Sequence, residues 1–121
     1  METILAQRAA VFDSLLSVWN GSDSEQLSDL ITNDYRGHML HLADGERTSS
    51  GYADWIRDYR LANPGATFLV EDQTSEGDRL WTRLRAHLPG GAVAHGFNIS
   101  RFEGGRIAEE WALWSPWGSG S

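Results

Sequence analysis

Apolar residues near the start of the chain recur at the spacing of a helix. Between residues 3 and 19 they follow one another at steps of three or four, with further apolar positions beside them: Leu5, Ala9, Phe12, Leu16 and Trp19, widened by Ile4, Val11, Leu15 and Val18. This period is typical of one face of an α-helix, and its width predicts heavy burial. The turn-forming segment 20–22, Asn-Gly-Ser, ends the predicted helix.

Two further helices are predicted before the middle of the chain. Ser22 followed by Glu25 has the form of a capping box, which opens a short helix ending at about Ile31. A third helix begins near Ser50 and is ended by the segment 63–65, Asn-Pro-Gly. Its apolar face has helical spacing: Tyr52, Trp55, Ile56 and Tyr59. Between these two helices, residues 35–40 suggest a short strand and residues 43–45 a turn.

The second half of the chain has the pattern of a sheet. Three glycine-containing turn signals, at 76–78, 89–91 and 103–105, separate four apolar segments. The predicted strands cover residues 66–75, 79–88, 92–102 and 106–114. Strands joined by such short connections are antiparallel. Three helices followed by this meander predict an α+β fold, with the helices packed on a curved sheet.

The register of the last hairpin decides which side chains share a face of the sheet. A two-residue Gly104-Gly105 turn would pair Glu103 with Arg106, whereas a three-residue loop would pair Phe102 with Arg106. We favour the three-residue loop because it separates bulky from small residues and places Asn98 opposite Glu110. The bulky face holds Val93, His95, Phe97, Ile99 and Arg101 with Ile107, Glu109, Trp111 and Leu113. The other face holds Ala94, Gly96, Asn98, Ser100 and Phe102 with Arg106, Ala108, Glu110, Ala112 and Trp114.

Small side chains around Asn98 and Glu110 suggest a pocket between the sheet and the helices. Such residues leave volume unfilled beside polar groups, which is typical of a ligand site. The bulky face would then be covered by a second subunit, since the helices cover one side only. The alternative is that the small residues face water and the bulky face is the core.

Composition excludes several classes of function. The chain has 121 residues, no cysteine, and ten basic residues, all Arg, against seventeen acidic ones, for a formal charge of −7. Thiolate metal sites, cysteine nucleophiles and lysine Schiff bases are therefore excluded. The negative charge argues against nucleic-acid binding. No segment has the length and apolarity of a membrane span, and we expect no membrane partner and a cytoplasmic location.

The chain is predicted to be a single domain over residues 1–117. Residues 118–121, Gly-Ser-Gly-Ser, are expected to be a flexible tail or a cloning remnant. The chain also contains six Trp, which is a large aromatic content for its length.

Two segments resemble a known family. The first is the segment 19–23, Trp-Asn-Gly-Ser-Asp, followed by a short helix, Tyr35 and a third helix. The second runs from Gly77-Asp78 through the segment 98–111, NISRFEGGRIAEEW. Together they resemble the SnoaL-like (polyketide cyclase-like) branch of the nuclear transport factor 2-like superfamily over nearly the whole chain. The resemblance implies a cone-shaped α+β barrel with a deep internal pocket, often dimeric through the sheet. It does not fix the function, because members include cyclases, isomerases, dehydratases, epoxide hydrolases and binding modules.

At most positions that match the catalytic residues of characterised members, this chain has a different type of residue. The resemblance places Leu15 and Asn98 where ketosteroid isomerase has a tyrosine and an acid, and His41-Leu42 near its basic carboxylate. It places Asn98 and Ala112 where the cyclases have a histidine and an acid. Leu15 cannot donate a hydrogen bond to an enolate, so steroid isomerisation by that route is not expected.

Three residues are the remaining catalytic candidates. His41 is a candidate general base, since the usual pKa of histidine suits proton transfer near neutrality. Glu110, if desolvated, would have a raised pKa and serve as acid or base. Asn98 would donate its amide N–H to a developing oxyanion. The alternatives are a solvated His41, an ion pair of Glu110 with Arg83 or Arg106, and an Asn98 that merely satisfies backbone groups.

Aromatic side chains are predicted to bind the substrate: Trp19, Tyr35, Trp55 and Trp114. Trp111 is assigned to the opposite face, and Trp81 and Trp117 are left unassigned. A metal site at His38 and His41 is a minor alternative, because no third ligand with defined spacing is evident. We therefore expect neither metal nor cofactor.

The leading interpretation is a cofactor-independent acid–base enzyme of the cyclase, isomerase or dehydratase type. Its substrate would be an apolar, polyketide- or terpenoid-like small molecule. The alternatives are a non-catalytic binding module of the same fold and an epoxide hydrolase. Arg83 and Arg85 would either anchor an anionic substrate or line the solvent-exposed side of the sheet.

Overall fold

The computed structural model of the protein describes residues 3–116, so Trp117 and the tail at 118–121 lie outside the described residues. The helices are α1 (Ile4–Trp19), α2 (Leu27–Leu30) and α3 (Tyr52–Ala62), with one-turn 3-10 helices at Ser24–Gln26 and Pro89–Gly91. The strands are β1 (Ile31–Met39), β2 (Glu46–Thr48), β3 (Thr67–Glu76), β4 (Arg79–His87), β5 (Val93–Glu103) and β6 (Arg106–Ser115). The predicted α+β class is confirmed.

Helix α1 begins where the sequence predicts and is buried along its second half. The Thr3 side chain caps it by accepting a hydrogen bond from the N–H of Ala6 at 3.0 Å. Core burial starts at Phe12, and the predicted burial is wrong for Ile4 and Leu5, which are exposed because the first turn does not contact the core. The helix ends at Trp19 with Asn20 as its C-cap, and Gly21 adopts the left-handed conformation with φ 110°.

The predicted cap of the second helix is wrong. Asp23, not Ser22, caps this segment, since its carboxylate accepts a hydrogen bond from the N–H of Glu25 at 2.9 Å. The α-helical part ends at Leu30, and Ile31 begins β1 instead of closing the helix. The third helix and the four strands of the second half are confirmed, with boundaries shifted by one residue or two.

The sheet has six strands in the order β2-β1-β6-β5-β4-β3. Strands β3 to β6 form the predicted antiparallel meander. Strand β1 pairs in parallel with β6, so that Gly37 lies beside Glu110. The three-residue strand β2 was not predicted. Because β2 and β3 are both edge strands, the sheet is curved but not closed.

The predicted three-residue loop of the last hairpin is wrong. Glu103 pairs with Arg106 across a two-residue turn, whose glycines have φ of 57° and 80°. Two consecutive residues with positive φ are typical of a type I′ turn. The register then shifts, because Phe102 pairs with Ile107 whereas Arg101 pairs with Glu109. The extra residue, Ala108, forms a bulge.

This bulge restores most of the predicted division of the sheet into two faces. From Glu110 onward the small face is directed inward as expected. The exceptions precede the bulge: Ile107 is fully buried and Arg106 is exposed, the reverse of the predicted arrangement. Asn98 lies opposite Ala112, and Ser100 takes the predicted place opposite Glu110.

The bulky face is directed away from the helices, so the interpretation of this face as the core is excluded. Phe97 and Leu113 are each 40% exposed, and the neighbouring Trp81 on β4 is 43% exposed. Among residues 3–116, no helix is long and apolar enough to cross a membrane.

Candidate functional site

A small internal cavity lies between the helices and the inward face of the sheet. Its volume is about 40 Å³, enough for a few water molecules. Its described walls are mostly apolar: Phe12, Leu15, Leu16, Trp19, Met39, Tyr52, Trp55, Phe68, Leu84, Ala112 and Trp114, with the polar side chains Asn98 and Glu110. The structure therefore places three of the four aromatic candidates and two of the three catalytic candidates at one cavity.

Edge-to-face aromatic contacts form the wall. The ring of Trp19 lies 4.7 Å from that of Trp55 and 5.7 Å from that of Phe68, and Phe68 lies 5.5 Å from Trp114. Such pairs stabilise the fold beyond the area they bury. Gly96 allows Trp114 to lie flat against β5, because a side-chain Cβ at this position would overlap the indole ring.

Glu110 is the central polar group of the cavity. It lies on β6, is 2% exposed, and is surrounded by hydrogen-bond donors. The Tyr35 hydroxyl donates to Oε1 at 2.7 Å, and the Asn98 amide donates to Oε2 at 2.6 Å. The Ser100 hydroxyl donates to Oε2 at 3.2 Å. Asn98 and Glu110 thus meet diagonally across two strands, although they are not the directly paired residues that the sequence predicted.

Burial raises the pKa of Glu110. Removing the carboxylate from water disfavours its charged form, and the hydrogen bonds from Tyr35, Asn98, Ser100 and Tyr52 lower the pKa without cancelling this effect. Burial, together with the nearby charge of Glu110, holds the pKa of both Tyr35 and Tyr52 well above its usual range. Tyr35 and Glu110 thus form a buried hydrogen-bonded pair beside an apolar cavity, with the Tyr52 ring packed against Tyr35.

The described residues show no ion pair between Glu110 and an arginine. Arg83 lies on the outward face, 3.8 Å from Glu71, and Arg106 donates to the backbone oxygen of Ser28 at 3.2 Å. Arg85 lies 4.0 Å from Glu71 on the same outward side. These positions place Arg83 and Arg85 on the solvent side of the sheet and leave the carboxylate of Glu110 with neutral hydrogen-bond donors.

His41 lies beside the cavity wall and is not among the described residues that line the cavity. Its Nδ1 accepts a hydrogen bond from the backbone N–H of Trp114 at 3.3 Å. Burial lowers the pKa of His41, a backbone hydrogen bond with Ala112 opposes this, and the positive charge of Arg47 adds to it. Nδ1 is thus already occupied as an acceptor, and the catalytic role of His41 stays a prediction.

His38 belongs to a separate polar cluster on the outward face. Its Nδ1 lies 2.7 Å from a carboxylate oxygen of Glu46, and its Nε2 lies 2.7 Å from one of Glu109. His38 and His41 therefore belong to different environments, and the structure does not bring them together as metal ligands. Among residues 3–116, no group of three or more His, Asp or Glu side chains is arranged to hold a metal ion.

Three further polar side chains belong to the site. Tyr35 was predicted as a wall residue, but it contacts Glu110 and does not belong to the described cavity lining. Tyr52 was predicted only as part of the apolar face of α3. Ser100 was predicted only as one of the small residues on the inward face of β5. The signal for Ser100 was its position two residues after Asn98 on the same face of β5.

The family of the chain follows from residues 9–118, which match the model of the SnoaL-like polyketide cyclase family. The chain belongs to this family. The match covers nearly all of the described fold and agrees with the helices, the curved sheet and the cavity between them.

Solved structures agree with this assignment. The chain is 25% identical to wild-type IdmH from Streptomyces antibioticus, described as a candidate polyketide cyclase, with a TM-score of 0.77 over 89% of this chain and 91% of IdmH. TsrD from Streptomyces laurentii is 19% identical, with a TM-score of 0.78 over 97% of this chain and 94% of TsrD, and this likeness shows the fold alone. No protein with a curated description matches the chain.

Proposed function

We propose that the chain is a cofactor-independent acid–base enzyme of the SnoaL-like family, acting on an apolar, polyketide- or terpenoid-like ketone. The reaction type would be cyclisation, isomerisation or dehydration, which share proton transfer next to a carbonyl. The observation that carries this proposal is the buried Glu110 carboxyl at an aromatic cavity, since its raised pKa brings it closer to neutrality.

The ligand has to enlarge the cavity before it binds. A cavity of about 40 Å³ is smaller than the roughly 150 Å³ that accommodates benzene in a protein core. Trp55 is the aromatic wall residue that we expect to move, because it alone among them is half-buried, with the guanidinium of Arg47 over its ring at 4.9 Å. Displacement of Trp55 would open the cavity toward the segment between β1 and α3.

Proton exchange next to a ketone tests the proposal. 2-Tetralone is an apolar ketone with acidic α-protons, and NMR follows their replacement by deuterium in D₂O. We expect the wild-type protein to accelerate exchange and Glu110→Gln to lose about 10²- to 10⁴-fold of that acceleration, the usual contribution of one acid–base group. A comparable loss in His41→Ala alone would assign the base to His41, and wild-type exchange at the buffer rate would contradict an acid–base enzyme.

A non-catalytic binding module is the second candidate. Both carboxylate oxygens of Glu110 already accept hydrogen bonds from the protein, which favours a structural role for this group. In that case 2-tetralone would bind with equal affinity to the wild-type protein and Glu110→Gln, without any exchange. Epoxide hydrolysis is less well supported, since it requires an arginine beside Glu110 and Asn98. The described lining residues include no arginine.

The exposed outward face supports a homodimer. Trp81, Phe97 and Leu113 are exposed beside the partly buried Ile99 and Trp111, and a group of exposed apolar side chains on one face is typical of an interaction site. We expect light scattering to give a dimer mass and Leu113→Arg to give a monomer. Leu61→Arg is the matched control, because Leu61 is 75% exposed on α3, outside this face. A monomeric wild-type protein would contradict the dimer.

A further inference from the structure

We infer that Tyr52 is the residue that donates a hydrogen bond to the oxygen of the bound ketone. This inference rests on the proposed function and names a contact that it did not include. Tyr52 is the first residue of α3, and its ring packs at 5.2 Å from that of Tyr35 and at 5.4 Å from that of Trp55. It provides the only hydroxyl group among the described side chains that line the cavity.

The hydrogen bond from Trp19 determines the direction in which Tyr52 donates. Trp19 Nε1 lies 3.0 Å from the Tyr52 hydroxyl oxygen. An indole N–H can only donate, so the Tyr52 oxygen accepts this bond and its own hydrogen is directed elsewhere. The hydrogen bond from Trp19 therefore leaves the Tyr52 hydroxyl hydrogen to be donated to another group.

Two polar side chains, Tyr35 and Glu110, lie on this side of Tyr52. The Tyr52 ring packs against that of Tyr35, whose hydroxyl donates to Glu110, and the charge of Glu110 helps to raise the pKa of Tyr52. Glu110 accepts hydrogen bonds from Tyr35, Asn98 and Ser100, and it keeps all three when the Tyr52 hydroxyl donates to a ligand. The Tyr52 hydroxyl is therefore the donor at the cavity that is most readily directed to a ligand oxygen.

The other polar groups at the cavity are less suited to this role. The Asn98 amide already donates to Glu110 at 2.6 Å, and the Asn98 carbonyl oxygen lies 3.4 Å from the Ser100 hydroxyl. Leu15 on α1, in the wall, has no donor. The preferred ligand thus carries an acceptor oxygen, a carbonyl or an enolate, on an apolar body, with that oxygen placed at the beginning of α3.

A pair of probes tests the inference by calorimetry. 2-Tetralone carries an acceptor oxygen, and tetralin is the corresponding hydrocarbon without it. We expect Tyr52→Phe to weaken 2-tetralone binding about tenfold, the usual effect of one buried hydrogen bond, and to leave tetralin binding unchanged. Tyr59→Phe is the matched control, since Tyr59 is a buried tyrosine of the same helix outside the described lining and should change neither affinity.

Infrared spectroscopy of bound 2-tetralone gives a second measurement that needs no variant. The carbonyl stretch of the wild-type complex should lie at lower frequency than that of 2-tetralone in a hydrocarbon solvent, because the carbonyl accepts a hydrogen bond. Tyr52→Phe should restore the higher frequency. A wild-type band at the hydrocarbon position, or an equal loss of both affinities in Tyr52→Phe, would overturn the inference while leaving the proposed function intact. Absence of binding of both probes to the wild-type protein would overturn the proposed function, and the inference with it.

Discussion

Gly37 is the residue whose substitution tests the geometry of the Glu110 site most severely. It lies on β1 beside Glu110, and the Tyr35 hydroxyl extends over it to reach the carboxylate. A Cβ atom at Gly37 would lie 2.7 Å from the Tyr35 hydroxyl oxygen and 3.3 Å from two atoms of its ring. Gly37→Ala therefore cannot be accommodated unless Tyr35 moves away from Glu110.

The expected cost follows from two unfavourable effects and one favourable effect. Loss of a hydrogen bond to a charged group costs about 1.5–3 kcal/mol, and overpacking costs about 1–3 kcal/mol. Alanine in place of glycine in a strand interior normally gains roughly 0.5–1 kcal/mol. We expect Gly37→Ala to lower the free energy of unfolding by about 2–4 kcal/mol, the opposite sign to that expected from strand propensity alone.

A double-mutant cycle in urea separates the effects. Tyr35→Phe removes the hydroxyl that meets the new methyl group, so Gly37→Ala should cost less than about 1 kcal/mol in that background. The two substitutions should therefore show a coupling of the order of 1–3 kcal/mol. Additive costs, or a Gly37→Ala variant as stable as the wild type, would refute the role of Gly37 in positioning Tyr35.

Two other predictions concern the rest of the sheet. Hydrogen bonds with Glu109 and Glu46 outweigh the effect of burial and raise the pKa of His38, so its stabilisation should be complete below about pH 6.5 and lost as the pH rises through the raised value. Urea unfolding across this range should show that dependence in the wild type, and an equal slope in His38→Gln would contradict it. Gly96→Ala should displace the Trp114 ring and lower the free energy of unfolding by about 1–3 kcal/mol. Unchanged near-UV circular dichroism and stability in that variant would disprove the close contact between β5 and the indole.

Local signals in the sequence predicted the helices and the meander strands. Helical spacing defined α1 and α3, and glycine-containing turns separated β3 to β6. The parallel pairing of β1 with β6 and the short strand β2 were missed. The pairing of β1 with β6 joins residues far apart in the chain, to which a local pattern is insensitive. Strand β2 pairs with the nearby β1, but its three residues are too few to show an alternating pattern.

The last hairpin shows how two errors can cancel in a sheet. The turn has two residues rather than three, and a bulge at Ala108 returns the following residues to the predicted face. The observed register differs from the predicted one by two residues, and because the side-chain period is also two, Glu110 keeps the predicted face. Asn98 and Glu110 were therefore correctly placed on one face, although they are not paired directly.

The site residues on the last hairpin were predicted, whereas those on other elements were predicted only in part. Asn98 and Glu110 share a face of one hairpin, so alternation alone brings them together. Tyr35 on β1 reaches this carboxylate, and Tyr52 on α3 packs against Tyr35, through contacts that the sequence pattern does not encode. The position of Gly37, which leaves room for Tyr35, also becomes evident only in three dimensions.

The titration of Glu110 tests the central claim most directly. Carboxyl ¹³C NMR, with Glu110→Gln used to assign the signal, measures its pKa in the free protein and in the presence of 2-tetralone. We expect a pKa above the usual range for a glutamate, because the carboxyl is buried, and a further change when the ketone binds beside Tyr52 and Glu110. A Glu110 that titrates at the ordinary value and does not respond to 2-tetralone would contradict an acid–base site at this cavity.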